Sequence, residues 1–167
     1  MIKSYFPYLL LLFLSFDGLA QTRTQTTLDY LNRIHPEISN GFMVVSQNSH
    51  ATEAGYEILK KGGNAVDASV AVGFALAVTL PRAGNLGGGG FVLIYDKEKD
   101  DVTSIDYRSA APKSATSDLF VQEDSVARFG HLVNAVPGSV AGLLKAHQDH
   151  GTMPLVDLLM PSIRLAR

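Results

Sequence analysis

The chain contains no cysteine. That absence excludes disulfides, thiolate zinc sites, a cysteine nucleophile and a lipoprotein anchor, so any nucleophile must carry oxygen or nitrogen. Charge is scarce as well: charged residues make up 18% of the sequence, below the roughly 25% of ordinary soluble domains, and the net charge is -2. Such a balance leaves no electrostatic footprint for nucleic acid or an anionic membrane surface. Phosphate-binding signatures are missing too, since the four glycines at Gly87–Gly90 follow neither the GxGxxG nor the P-loop pattern and precede a strand instead of opening a helix. There is no internal repeat and no low-complexity tract. What the chain does have is 46% hydrophobic residues, enough for a packed core, in a length suited to one ordinary domain.

The densest apolar block is Met1–Ala20. Lys3 supplies a short positive region, Tyr5–Phe16 an apolar run broken only by Pro7 and Ser15, and Gly18-Leu19-Ala20 the small residues that a signal peptidase reads. The run is too short to span a bilayer, which takes about 20 apolar residues. We expect a signal peptide over residues 1–20, export to a periplasmic or secreted location, and no membrane span after its removal. Residues 21–40 form a polar, Thr-rich lead-in with a weak helical pattern at Leu28, Leu31 and Ile34. The ordered domain is expected over 41–167.

Gly41–Ser46 reads as a short strand. Ala51, Ala54, Ile58 and Leu59 fall at helical spacing and end at Gly62-Gly63. Asn64 is placed to cap a second helix, with Asp67 near its positive end. That helix, Ala65–Leu80, is apolar on almost every face, which predicts burial between other layers. Phe91–Tyr95 and Val102–Tyr107 form a hairpin about a charged turn. His131–Val136 reads as another strand, Ser139 as the cap of a helix carrying Val140, Leu143 and Leu144, and Leu155 onward as a helix broken or kinked at Pro161. No stop signal precedes Arg167, so the fold is expected to continue beyond it.

Candidate chemistry is sparse. The five histidines include one close pair, His147 and His150, which lacks an HExxH context and is expected to face solvent. Ser139 is not a nucleophile elbow, because Pro137 and Ala141 stand where glycines are required. The tetraglycine points to tight packing more than to ligand contact. Arg108, delivered at the end of a strand, can clamp a carboxylate bidentately or pair with Asp106 or another acid; spacing alone favours the structural pair.

Three ordered blocks carry a resemblance. GGNAVDASVAVGFALAVTLPRAGNLGGGGFVLIYD, then IDYRSAAP, then VPGSVAGLLKAHQDHGTMPLVDLLMPSIRLAR resemble the large-subunit region of the γ-glutamyltransferases, also called γ-glutamyltranspeptidases or glutathione hydrolases, over about Gly41 to Arg167. The signal peptide and the lack of cysteine suit the bacterial members. The resemblance implies an α+β chain, an N-terminal fragment of the four-layer αββα N-terminal nucleophile hydrolase fold, from a precursor that cleaves itself into large and small subunits. It further implies that a threonine at the start of the small subunit attacks the γ-glutamyl amide of glutathione, its own α-amine serving as base, and that water or an acceptor amino acid releases the γ-glutamyl-enzyme. No cofactor or metal is implied. The partners are a γ-glutamyl substrate and the chain's own small subunit.

Position by position, one site residue carries over: Arg108, in DYRSAAP, would hold the α-carboxylate of the γ-glutamyl group. No catalytic residue lies within these 167 residues on this reading, and Thr22, Thr24, Thr26 and Thr27 are not candidates because cleavage after Ala20 exposes none of them. The polypeptide alone is then expected to be inactive. Two other classes stay open: a cephalosporin-acylase-like amidase, and a non-enzymatic truncated secreted product.

Overall fold

A computed structural model describes residues 37–121 and 130–167. The chain divides into two units, 1–38 and 39–167. The signal peptide and the Leu28–Ile34 pattern lie outside the described residues.

Helix α1 spans Ser49–Lys60. The Asn48 side chain caps it by accepting from the His50 and Ala51 backbone N–H groups at 3.0 and 3.3 Å, satisfying donors that a first turn leaves without partners. The helix ends where Gly62 takes φ +93°, a conformation only glycine adopts cheaply. Helix α2, Ala65–Thr79, opens with a reciprocal box: Asn64 accepts from Val66 and Asp67, and the Asp67 carboxylate accepts from the Asn64 N–H. Its Val66, Ala68, Val70 and Ala71 join Ile58 of α1 and the later residues Ala146 and Leu158 in the main core, while Ala51, Ala54 and Ala75 form a second cluster. Burial all round is not what the structure shows. Ala65 and Ser69 are exposed, and Val72–Phe74 and Leu76–Leu80 are half-buried, because the described residues pack against one side of this apolar helix.

Strands β1, Phe91–Asp96, and β2, Asp101–Asp106, pair antiparallel with Phe91 opposite Asp106 and Asp96 opposite Asp101. Alternation sends Val92, Ile94 and Ile105 onto the core and leaves Phe91, Leu93 and Tyr95 exposed on the other face. Asp96 holds the turn by accepting from the Glu98 and Lys99 backbones.

Helix α3, Ser139–His150, and helix α4, Leu155–Leu165, close the described fold. Three expectations need correcting, and of the break or kink expected at Pro161 the break does not occur. Gly41–Ser46 forms no strand: no described segment pairs with it, and hydroxyls of Ser39 and Ser46 satisfy the Phe42 and Asn48 carbonyls instead. His131–Val136 is not a strand either. Residues His131–Val133 make a 3-10 turn, and Val136 alone reaches a partner, in an isolated bridge to Ala110; Pro137 has no N–H with which to extend it. Ser139 does not cap α3, because it lies inside the helix and the cap position is Gly138, with no side-chain bond. Finally, α4 runs through Pro161 without ending. Proline removes one backbone donor there, while Leu158, Pro161 and Ser162 are buried and hold the turn in place.

No helix among the described residues is long and apolar enough to cross a membrane.

Candidate active site

The junction where three segments meet begins with the glycines. The Gly88 carbonyl accepts from both Gly138 and Ser139 N–H, at 2.9 and 3.0 Å, so the first donors of α3 are satisfied by a loop carbonyl in place of a capping side chain. Pairing of the hairpin continues one step past β2: Tyr107 N–H donates to the Gly90 carbonyl at 3.0 Å, and Gly90 N–H to the Tyr107 carbonyl at 3.4 Å. A Cβ on Gly89 would lie 2.6 Å from the Tyr107 carbonyl oxygen and 2.8 Å from the Arg108 carbonyl carbon. Neither Gly87–Gly90 nor Gly138 has positive φ. Close backbone approach is therefore the reason for glycine at Gly89, as the packing expectation held; Gly87 has only Asn85 near it.

The residue that caps α3 also closes on the 107–108 backbone. A methyl group at Gly138 would overlap the Tyr107 carbonyl, and backbone cannot move aside as a side chain can. Gly138→Ala is accordingly expected to destabilise the protein by about 2 kcal/mol, the usual scale of overpacking, seen as a lower denaturant midpoint; an unchanged midpoint would show that the junction tolerates the methyl.

Arg108 sits in the middle of this junction and is exposed. Its N–H donates to the Asp106 carboxylate at 2.9 Å. Two residues on, Ala110 exchanges backbone hydrogen bonds with Val136 at 3.0 and 2.8 Å. The ion pair favoured by spacing, Arg108 with Asp106 or another acid, does not form among the described residues: Asp106 takes the arginine backbone N–H, and no described carboxylate pairs with the guanidinium. Alternation along β2 explains the orientation: Ile105 and Tyr107 are half-buried, Asp106 and Arg108 exposed. Burial pushes the Tyr107 phenol above its ordinary pKa, so it stays protonated at neutral pH.

A groove of about 750 Å³ between Phe42–Val45 and α2 has apolar walls, and Tyr107 is its one titratable lining group. A smaller cavity of about 220 Å³ lies under the glycines, beside Tyr107, Ser139 and Leu143. Among the described residues no three histidines or carboxylates gather as a metal-binding group.

The histidine pair differs from the solvent-facing expectation. Both residues are half-buried. A ring nitrogen of His147 is 2.7 Å from the Met153 carbonyl, and the His150 carbonyl accepts from the Asn64 amide at 2.7 Å. Asp67, which the sequence placed only at a helix start, is completely buried and also accepts from the Thr152 hydroxyl at 2.6 Å and from the Thr152 and Met153 N–H groups. Burial opposes its ionisation, but the Thr152 hydroxyl and the Asn64, Thr152 and Met153 backbone donors outweigh that and hold the carboxyl below its ordinary pKa. The 85-residue separation left no local signal for this contact.

The family model for γ-glutamyltranspeptidase covers residues 51–167, and the chain belongs to that family. Among characterised relatives, the glutathione hydrolase proenzyme of Escherichia coli (strain K12) is 50% identical over 138 residues, 80% of this chain and 24% of the relative. The solved Helicobacter pylori γ-glutamyltranspeptidase superposes with a TM-score of 0.74 at 38% identity over 80% of this chain and 39% of that one. The Pseudomonas nitroreducens enzyme complexed with L-DON gives 0.72 at 41% identity, over 78% and 40% respectively. The chain carries part of the N-terminal nucleophile hydrolase fold, and it spans about a quarter of the length of the curated relatives.

Proposed function

We propose that this chain supplies the donor-binding arginine of a γ-glutamyl-transferring enzyme that acts on glutathione and related γ-glutamyl compounds. The observation that supports this most is the placement of Arg108: an exposed guanidinium on a backbone immobilised on both sides, by Gly90 at Tyr107 and by Val136 at Ala110. A planar guanidinium fork carried on a fixed stretch of backbone, and left without an ion-pair partner among the described residues, can match a carboxylate bidentately. The α-carboxylate of the γ-glutamyl group is the matching partner.

The covalent chemistry belongs to a threonine outside these 167 residues. Its hydroxyl attacks the γ-carbonyl while its own amine takes the proton; collapse of the tetrahedral intermediate expels the protonated amine of cysteinylglycine, and water or an acceptor amine then releases the γ-glutamyl group. Residues 1–20 direct export to the periplasm or the exterior, self-cleavage of a precursor exposes the threonine, and residues 41–167 alone are inactive. The relatives named as proenzymes support the self-cleavage.

A glutaryl amide offers Arg108 a carboxylate at the same distance from the scissile bond but lacks the α-amine. Assaying the assembled two-subunit enzyme against a γ-glutamyl anilide and a glutaryl anilide therefore tests the donor class. The γ-glutamyl compound is expected to be turned over at least about 10-fold faster, the scale of one lost charge-assisted hydrogen bond; preference for the glutaryl compound would assign an acylase-type amidase instead.

A further inference from the structure

We infer that Tyr107 is a positioning residue for donor binding: its ring, seated against Gly90 and Gly142, sets the register in which Arg108 is presented. The inference rests on the reading of Arg108 given above. A Cβ on Gly142, one turn into α3, would overlap the Cβ, Cγ and Cδ1 atoms of Tyr107, so the helix approaches the ring as closely as an absent side chain permits. From the opposite side, a Cβ on Gly90 would lie 3.0 Å from Cε2, Cζ and the hydroxyl oxygen. Gly138 meets the Tyr107 carbonyl. Gly90 and Gly142, from two distant segments, thus shape one slot for the ring while Gly138 closes on the backbone of the same residue, the neighbour of Arg108.

This arrangement has a directional consequence. On a strand, neighbours point to opposite faces, so seating the Tyr107 ring inward against α3 forces Arg108 outward. The hydrogen bonds at Gly90 and Val136 fix where the backbone runs; the ring fixes its rotation about that line. Without the ring, the slot between Gly90 and Gly142 is empty, and the peptide between Tyr107 and Arg108 can turn to fill it, carrying the guanidinium away from its set direction. Asp106 bonds only the Arg108 backbone and does not restrain the side chain. Among the described residues the phenol makes no hydrogen bond, so shape, not the hydroxyl, is what the slot uses.

The test uses the assembled enzyme and a γ-glutamyl anilide donor. Tyr107→Ala is expected to raise KM by about 10-fold or more with kcat within about two-fold, and Tyr107→Phe to restore wild-type values, the signature of lost ground-state binding. A merely structural role would lower the active fraction, and hence kcat, at unchanged KM; that result overturns the inference. If Tyr107→Ala does not fold, Gly142→Ala, which keeps the ring but displaces it, is expected to raise KM in the same way, and an unchanged KM there equally overturns the inference. Arg108→Lys separates the two ideas. A raised KM for Arg108→Lys beside an unchanged KM for Tyr107→Ala removes the positioning role and leaves the arginine reading intact. Unchanged kinetics for Arg108→Lys removes both.

Discussion

Asp67→Asn is expected to destabilise the protein by about 3 kcal/mol, because it places an amide donor among buried donors and removes the charge that strengthens their bonds. The carboxylate receives five N–H or O–H contacts from Asn64, Thr152 and Met153, and binds the start of α2 to the turn between α3 and α4. The same change should alter the response to acid. Since the folded-state pKa of Asp67 lies below the ordinary value, its contribution is present above the unfolded-chain value of about 3.9 and is lost as pH falls through the folded-state value. Wild-type stability should therefore decline from about pH 5 downward more steeply than that of Asp67→Asn. Parallel stability curves for the two proteins across that range would contradict the account.

The contrast between Asp67 and Arg108 shows how much could be read without coordinates. Helices α1 and α2, the hairpin and its charged turn are visible in the sequence because their determinants are local: an Asn cap, a glycine at positive φ, and alternation over six residues. The strand expected at Gly41–Ser46 has the right composition, yet a strand exists only by pairing, and its partner is not written in its own residues. At α3 the local cap signal of Ser139 is overridden by the Gly88 carbonyl, 51 positions away in sequence. The DYRSAAP block singles out Arg108 as a candidate, whereas nothing local to it signals the close approach of Gly89, Gly90 and Gly138 to its backbone. Tyr107 offered one usable signal, the same alternation that faces Ile105 inward. The Asp67 contact to Thr152 offered none.

Arg108→Ala is the change expected to affect activity most. A bidentate carboxylate pair in a confined site is worth about 3–4 kcal/mol when one partner is truncated, so kcat/KM for a γ-glutamyl anilide should fall about 100-fold to 1,000-fold in the assembled enzyme. Arg108→Lys keeps the charge and loses the fork, and should recover only part of that loss. Stability should hardly change, since the side chain is exposed and surface substitutions away from special features stay within about 0.5 kcal/mol.

The central claim is that Arg108 meets the α-carboxylate and no other part of the donor. It is tested most directly by comparing a γ-glutamyl anilide with its α-carboxamide analogue, in the wild-type enzyme and in Arg108→Ala. Wild type is expected to prefer the carboxylate by about 100-fold or more in kcat/KM, and Arg108→Ala to lose nearly all of that preference, because the two changes remove the same interaction. A variant that still discriminates as strongly as wild type would place the carboxylate elsewhere.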